Sequence, residues 1–192
     1  MNVRDAIQTR RSIRKFKSAP VSRETIQKIL DAAVMAPSAK SSQTWRFTVV
    51  MGSKKQAMLS GIRAGIVNRE AEGQDIGSVK WSLGCMEQAP VTIFVHNMDG
   101  IHPWKACEEN GSWWDIATVQ SVGAAIQNML LAATALGLGS LWIADVWEAY
   151  PELNGWLETD HQMVSTASLD YLDIDPQAPP RRPMKDIVRW LD

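Results

Sequence analysis

The sequence predicts an α+β fold, and three observations carry that expectation. Strand-like runs rich in β-branched and aromatic residues interleave with helical runs, but without a regular βαβ rhythm. A segment from Ser112 to Leu136 is apolar nearly all round, as a helix in the middle of a core must be. The chain has 192 residues, 45% hydrophobic and 21% charged, enough to enclose one sizeable core. A single domain over residues 1–192 is expected, since no repeat, low-complexity tract or linker interrupts it.

The elements follow in order. Val3 to about Arg11 reads as a short helix, with Val3, Ala6 and Ile7 on one side. Ser22 is placed to N-cap a second helix carrying Ile26, Ile29, Leu30, Ala33 and Val34 at helical spacing, stopped by Pro37. WRFTVVMG, Trp45 to Gly52, is a strand by its aromatic and β-branched content. Lys54 to about Glu70 is helical, and the polar, glycine-bearing Glu70 to Gly77 is a loop. PVTIFVHN, Pro90 to Asn97, is apolar enough for a central strand. Met98 to Gly111 is irregular. Gly137 ends the long helix, Leu141 to Val146 is a third strand, and Met163 to Tyr171 a fourth. Asp173 to Pro183 holds four prolines and reads as an extended arm with no core of its own to join.

Several function classes are excluded. With net charge −1 and pI near 6.3, no global field draws the protein to nucleic acid or an anionic membrane. The apolar run Val122 to Ala144 is interrupted by Gly137 and Gly139 and lacks flanking cations, so a buried helix followed by a strand explains it better than a membrane span. MNVRDAIQTRR is amphipathic and charged rather than a secretory leader, and a cytoplasmic location is expected. Cys85 and Cys107 form no CxxC pair and are expected as two buried thiols. His96, His102 and His161 have no metal-ligand spacing, and GxSxG, HExxH and Walker signatures are missing. Gly137-Leu-Gly-Ser follows a helix rather than a strand and lacks a third glycine, so it is no dinucleotide fingerprint. A reactive group therefore points to a bound cofactor. The nine tryptophans are expected mostly in the core or an interface, with one or two free to flank a planar ligand.

QTRRSIRKF, residues 8–16, gathers Arg10, Arg11, Arg14 and Lys15 in an otherwise balanced chain. Two readings fit. One is a solvated helix end, where cations favour the macrodipole. The other is a phosphate site, since guanidinium forks bind phosphate oxygens bidentately and Ser12 adds a hydroxyl. Arg181 and Arg182 in the proline-rich arm form a second pair that can converge on the same dianion.

Four motifs in order resemble the FMN-dependent nitroreductase family: RRSIRKF, then APSAKSSQTWRF (Ala36 to Phe47), then IQNMLLAATALGLGSLWIADV (Ile126 to Val146), then PRRPMKDIV (Pro180 to Val188). The resemblance runs from residue 4 to residue 190. It implies a sandwich of a mainly antiparallel sheet with helices, forming an intertwined homodimer with an exchanged C-terminal arm. It implies that Arg10, Arg11 and Ser12 meet the FMN phosphate and ribityl chain, and that Arg14 reaches toward the pyrimidine end of the flavin. By the same match Pro37, Ser38, Ala39, Lys40 and Ser41 form a loop contacting the partner's flavin. Ile143, Ala144 and Asp145 form the strand end whose backbone faces flavin N5, and Arg181 and Arg182 add phosphate contacts. Asn68 matches a polar side chain at the pyrimidine edge. The chain departs from the family where it has Lys40 for a small residue, Ser41 for Asn, Thr44 for Pro and Asp170 for Gly.

The activity so implied moves two electrons from NADH or NADPH to a nitroaromatic, quinone or similar small acceptor by a ping-pong mechanism, with no catalytic side chain and no metal. Flavin or enone reduction, a specialised dehydrogenation, or a non-catalytic flavin-binding module would use the same fold.

Overall fold

The computed structural model describes residues 1–105, 109–173 and 176–191. Cys107 lies outside the described residues, whereas Cys85 is a buried free thiol as expected. Four strands, β1 (Trp45–Met51), β2 (Val91–Asn97), β3 (Leu138–Ile143) and β4 (Gln162–Tyr171), lie in the order β1-β2-β4-β3, with every pair antiparallel. Helices cover both faces. On one side α2 (Arg23–Ala33) and α5 (Glu109–Ala135) pack on Val91, Ile93, Val95, Ala167 and Leu169. On the other, α3 (Lys54–Ala71), α4 (Val79–Gln88) and α6 (Tyr150–Trp156) enclose Phe94 and Met163. Alternate residues of β2 thus serve opposite cores, which is why the whole strand is buried. The α+β sandwich with an antiparallel sheet is the one expected.

Local chemistry sets the helix starts. Asn2 Oδ1 accepts from Asp5 N at 2.9 Å to cap α1 (Val3–Thr9), and Ser22 Oγ accepts from Thr25 N at 3.1 Å to cap α2. Residues 111–135 of α5 are long and apolar enough to cross a membrane by length and composition. The helix instead packs on α1, α2 and the sheet, with Val122, Ala125, Ile126, Met129 and Ala133 fully buried.

Five expectations need correction. α1 stops at Thr9 rather than Arg11, because Arg10 leaves the helical region at ψ 128°. α5 begins at Glu109, ahead of Ser112. Gly137, at φ +80°, turns the chain directly from α5 into β3, so that strand runs Leu138–Ile143 instead of Leu141 to Val146. Helices α4 and α6 occupy stretches to which the sequence reading assigned no element. Finally, only Trp45 of the nine tryptophans is buried within the chain, and Trp81, Trp104, Trp113, Trp142, Trp147 and Trp190 are exposed.

Two features place the site. After α1 the chain runs along the outer edge of β3: Ser12 bridges Ser140 in parallel, and Ile13 N donates to Ser140 O at 2.9 Å. Gly139 permits this, since a Cβ there would lie 2.7 Å from Ile13 Cγ1 and Leu172 Cδ2. The C-terminal arm contrasts with the rest. Among its described residues Met184, Ile187, Trp190 and Leu191 are all exposed and Val188 only half-buried.

Candidate functional site

The end of α1 delivers the arginines to that sheet edge. Ile13 and Phe16 are buried and fix the segment, leaving the cations around it on the outside. Arg11 donates through one terminal nitrogen to Gln8 O at 2.7 Å and Arg10 O at 3.0 Å, while its Nε is buried without a partner. Burial first, and then the charges of Arg181 and Arg11, hold the Arg10 guanidinium below its ordinary pKa. The charge of Arg181, from the far end of the chain, is thus felt at Arg10. Among the described residues, none of Arg10, Arg11, Arg14, Arg181 and Arg182 makes a salt bridge. Cations near one another without a paired carboxylate are of the kind that a bound anion would stabilise.

Arg14 continues the line toward α4. Its guanidinium stands 5.3 Å from the centroid of the Trp81 ring and donates to Ser12 O at 3.1 Å. Its carbonyl accepts from the Cys85 thiol at 3.6 Å; burial pushes that thiol's pKa up, with Arg14 opposing. At the end of β3, Ile143 is buried, and beyond it Ala144 is exposed and Asp145 half-buried. Asp145 Oδ2 accepts from Ser78 Oγ at 2.5 Å and Ser82 Oγ at 2.6 Å. The start of α4 thus touches the strand end through its serines and Arg14 through Trp81.

The loop from Pro37 to Ser41 stands apart within one chain. Ala39 N donates to Ser121 Oγ at 3.0 Å, and Lys40 Nζ lies 5.7 Å from the centroid of the Trp114 ring, so its partners are on α5. Lys40, Ser41 and Gln43 all have positive φ, at 50°, 54° and 48°. Left-handed backbone costs a non-glycine residue about 1–2 kcal/mol, and three such residues within four positions mark a constrained loop. Pro37, Lys40 and Ser41 are exposed, free to face another molecule.

Asn68 lies on α3. Its Nδ2 donates to Glu152 Oε1 at 2.6 Å, and it lines a cavity of about 540 Å³ with Arg69, Trp104, Trp147 and Glu148. The residues that the sequence reading missed are Ser78, Trp81 and Ser82 of the α4 region. Their signal was present: Val79, Cys85 and Met86 recur at helical spacing, and Ser78 and Ser82 are four apart on one face.

Fold and cations together describe an α+β protein with an unneutralised cationic seat at one sheet edge. The model of the nitroreductase family matches residues 7–169, and the chain belongs to that family. It is 37% identical over 142 residues to a Methanothermobacter thermautotrophicus protein with the provisional name NADH dehydrogenase/NAD(P)H nitroreductase, a match covering 74% of this chain and 60% of that relative. The chain thus spans about three fifths of the length of that curated relative. Among solved structures, it is similar to a BluB-like flavoprotein from Clostridium difficile 630 (25% identity, TM-score 0.80, all of both chains covered). It is also similar to a nitroreductase-like protein of Desulfovibrio desulfuricans solved in complex with FMN (25% identity, TM-score 0.75, 100% of this chain and 98% of that one).

Proposed function

We propose that this chain is an FMN-dependent NAD(P)H oxidoreductase, acting as a homodimer and passing two electrons from NADH or NADPH to a nitroaromatic, quinone or similar small acceptor. The observation that carries this reading is the half-buried Arg10, which feels the charges of Arg181 and Arg11, next in the chain to Arg11, whose buried Nε has no partner among the described residues. These groups fit a phosphate dianion: it would neutralise the neighbouring cations and satisfy the orphaned donor. The FMN complex of the Desulfovibrio neighbour and the name of the Methanothermobacter relative support the same cofactor and donor.

In this reading Arg10, Arg11, Arg181 and Arg182 hold the phosphate and Ser12 the ribityl chain. Arg14, held against Trp81, places a cation at the pyrimidine end. The main chain from Ile143 to Asp145 borders the ring edge. Bound FMN supplies the hydride chemistry, and the protein supplies position and charge. Donor and acceptor occupy one site in turn, so no protein acid or base is required. Asn68, which donates to Glu152, is the residue assigned to the pyrimidine edge.

Two features support a second copy as part of the site. β1 has no outer neighbour in the four-stranded sheet, and the arm leaves Met184, Ile187, Trp190 and Leu191 exposed. An extended arm laid on a partner's sheet edge answers both. The strained, exposed loop from Pro37 to Ser41 would then face the partner's flavin. The test is the visible spectrum of the purified protein, followed by NADH and NADPH oxidation with nitroaromatic and quinone acceptors. A flavin spectrum from released FMN, with acceptor-dependent turnover, is expected. A colourless protein that takes up no FMN on mixing would overturn the reading.

A further inference from the structure

Ser78 occupies the N-cap position of α4, yet its hydroxyl makes no capping bond to that helix. Serine is among the residues most preferred as an N-cap because its oxygen accepts from the first free amides. Here the hydroxyl is turned away and donates to Asp145 Oδ2 at 2.5 Å. One helical turn later Ser82, itself buried, donates to the same oxygen at 2.6 Å. Both distances fall in the range of hydroxyl bonds to a carboxylate. A residue type suited to capping and one of middling helix propensity are thus both committed to a single oxygen across the chain. Asp145 begins the 3-10 turn Asp145–Ala149, immediately after β3 and Ala144.

From this convergence we propose that Ser78 and Ser82 are positioning residues of the flavin site: they fix the carboxylate and main chain of Asp145 at the ring edge and offset that carboxylate's charge with two hydroxyl dipoles. The proposal rests on the FMN reading above. Trp81, between the two serines in sequence, holds Arg14 from the same stretch of α4. One helix start would thereby set both an anion and a cation beside the ring. The serines would touch neither flavin nor substrate. They act through Asp145, and an uncompensated carboxylate beside the ring disfavours electron uptake there.

The experiment uses full-length protein loaded with FMN, in wild-type and S78A/S82A forms. FMN affinity is read by fluorescence titration and the two-electron midpoint potential by equilibration with a reference dye. Because the phosphate seat is intact, the variant should bind oxidised FMN within about threefold of wild type. Its potential should fall by about 30 mV, a tenfold shift in preference for oxidised over reduced flavin. If the double variant fails to fold, Ser82→Ala alone should move the potential in the same direction and Ser82→Thr, which keeps the hydroxyl, should restore it. FMN-loaded wild type and alanine variants with equal potentials would overturn this inference and leave the cofactor assignment standing. Wild-type protein that binds no FMN would overturn both.

Discussion

The charge of Arg181, near the C-terminal end, is felt at Arg10, near the N-terminal end: burial first, and then the charges of Arg181 and Arg11, hold the Arg10 guanidinium below its ordinary pKa. Like charges near one another are unfavourable in the free protein. An anion bound among them would relieve that repulsion, which is why the proposed phosphate site is placed there.

The arginine segment depends on Gly139. A methyl group there would lie 2.7 Å from Ile13 Cγ1 and Leu172 Cδ2, so the Ile13 and Leu172 side chains, and with Ile13 its segment's seat on β3, must shift. Overpacking of this kind costs roughly 1–3 kcal/mol. Gly139→Ala should lower the urea midpoint accordingly and weaken FMN binding with it, because Arg10 to Ser12 ride on the displaced strand. Unchanged stability and flavin affinity would show that the Ile13 contact does not position the cations.

Asp170, where the family commonly has glycine, has a structural task. One carboxylate oxygen accepts from Ser18 N and the other from Tyr171 N, each at 2.6 Å, and the residue is fully buried. Ser18 itself has φ 56°, so the carboxylate holds a strained turn against the end of the sheet. Asp170→Ala leaves the Ser18 amide without that acceptor, at a cost of about 1–3 kcal/mol. Chemical denaturation should show this loss while the potential of bound flavin stays near that of wild type.

His96 should make stability pH-dependent. Burial depresses its pKa, with Asn154 opposing and His161 adding to the depression. Its reference value is 6.5, so above that pH both folded and unfolded forms are neutral. As the pH falls below 6.5, the unfolded chain gains a proton that the buried ring resists, and stability is lost until the depressed folded pKa is reached. The loss can approach ~1.4 kcal/mol per pH unit for one proton. Denaturation at pH 7.5 and pH 5.5 should show a smaller difference in His96→Gln than in wild type. Turnover should survive the substitution, since the mechanism asks nothing of this ring.

Deleting residues 173–192 should cost both the dimer and FMN, as the arm carries Arg181 and Arg182 as well as its exposed apolar side chains. Sedimentation and the flavin spectrum measure the two losses separately. Obligate dimer interfaces are large, on the order of 2,000 Å² or more, and behave as part of the core. A truncated, folded, flavin-loaded monomer would contradict the shared site.

What was legible in the sequence followed from strong local signals. Ser22 announced α2, the β-branched runs announced β1 and β2, and the unbroken apolar face of α5 announced the core. Helix α4 was harder to see because Ser82 interrupts its buried face between Val79 and Met86, and the partner of Ser78 and Ser82, Asp145, is distant in sequence. Asn68 rests on its position in the chain alone, and the partner that the fold gives it, Glu152, lies 84 residues away and was not foreseen. The exposed tryptophans mislead for a related reason: burial in a single chain does not count what a partner or ligand would cover.

The most direct test of the central claim is a titration of the apoprotein with FMN and riboflavin in parallel, followed by fluorescence quenching. The two ligands share a ring and differ in the phosphate. A charge-assisted bond in a partly buried site loses roughly 2–5 kcal/mol when one partner is removed. Arg10→Ala and Arg181→Ala should each weaken FMN by tens-fold or more while riboflavin changes little. The double variant should lose less than the sum, because both residues serve one anion. Equal losses for FMN and riboflavin would contradict the account, leaving the arginines as a solvated helix end rather than a phosphate seat.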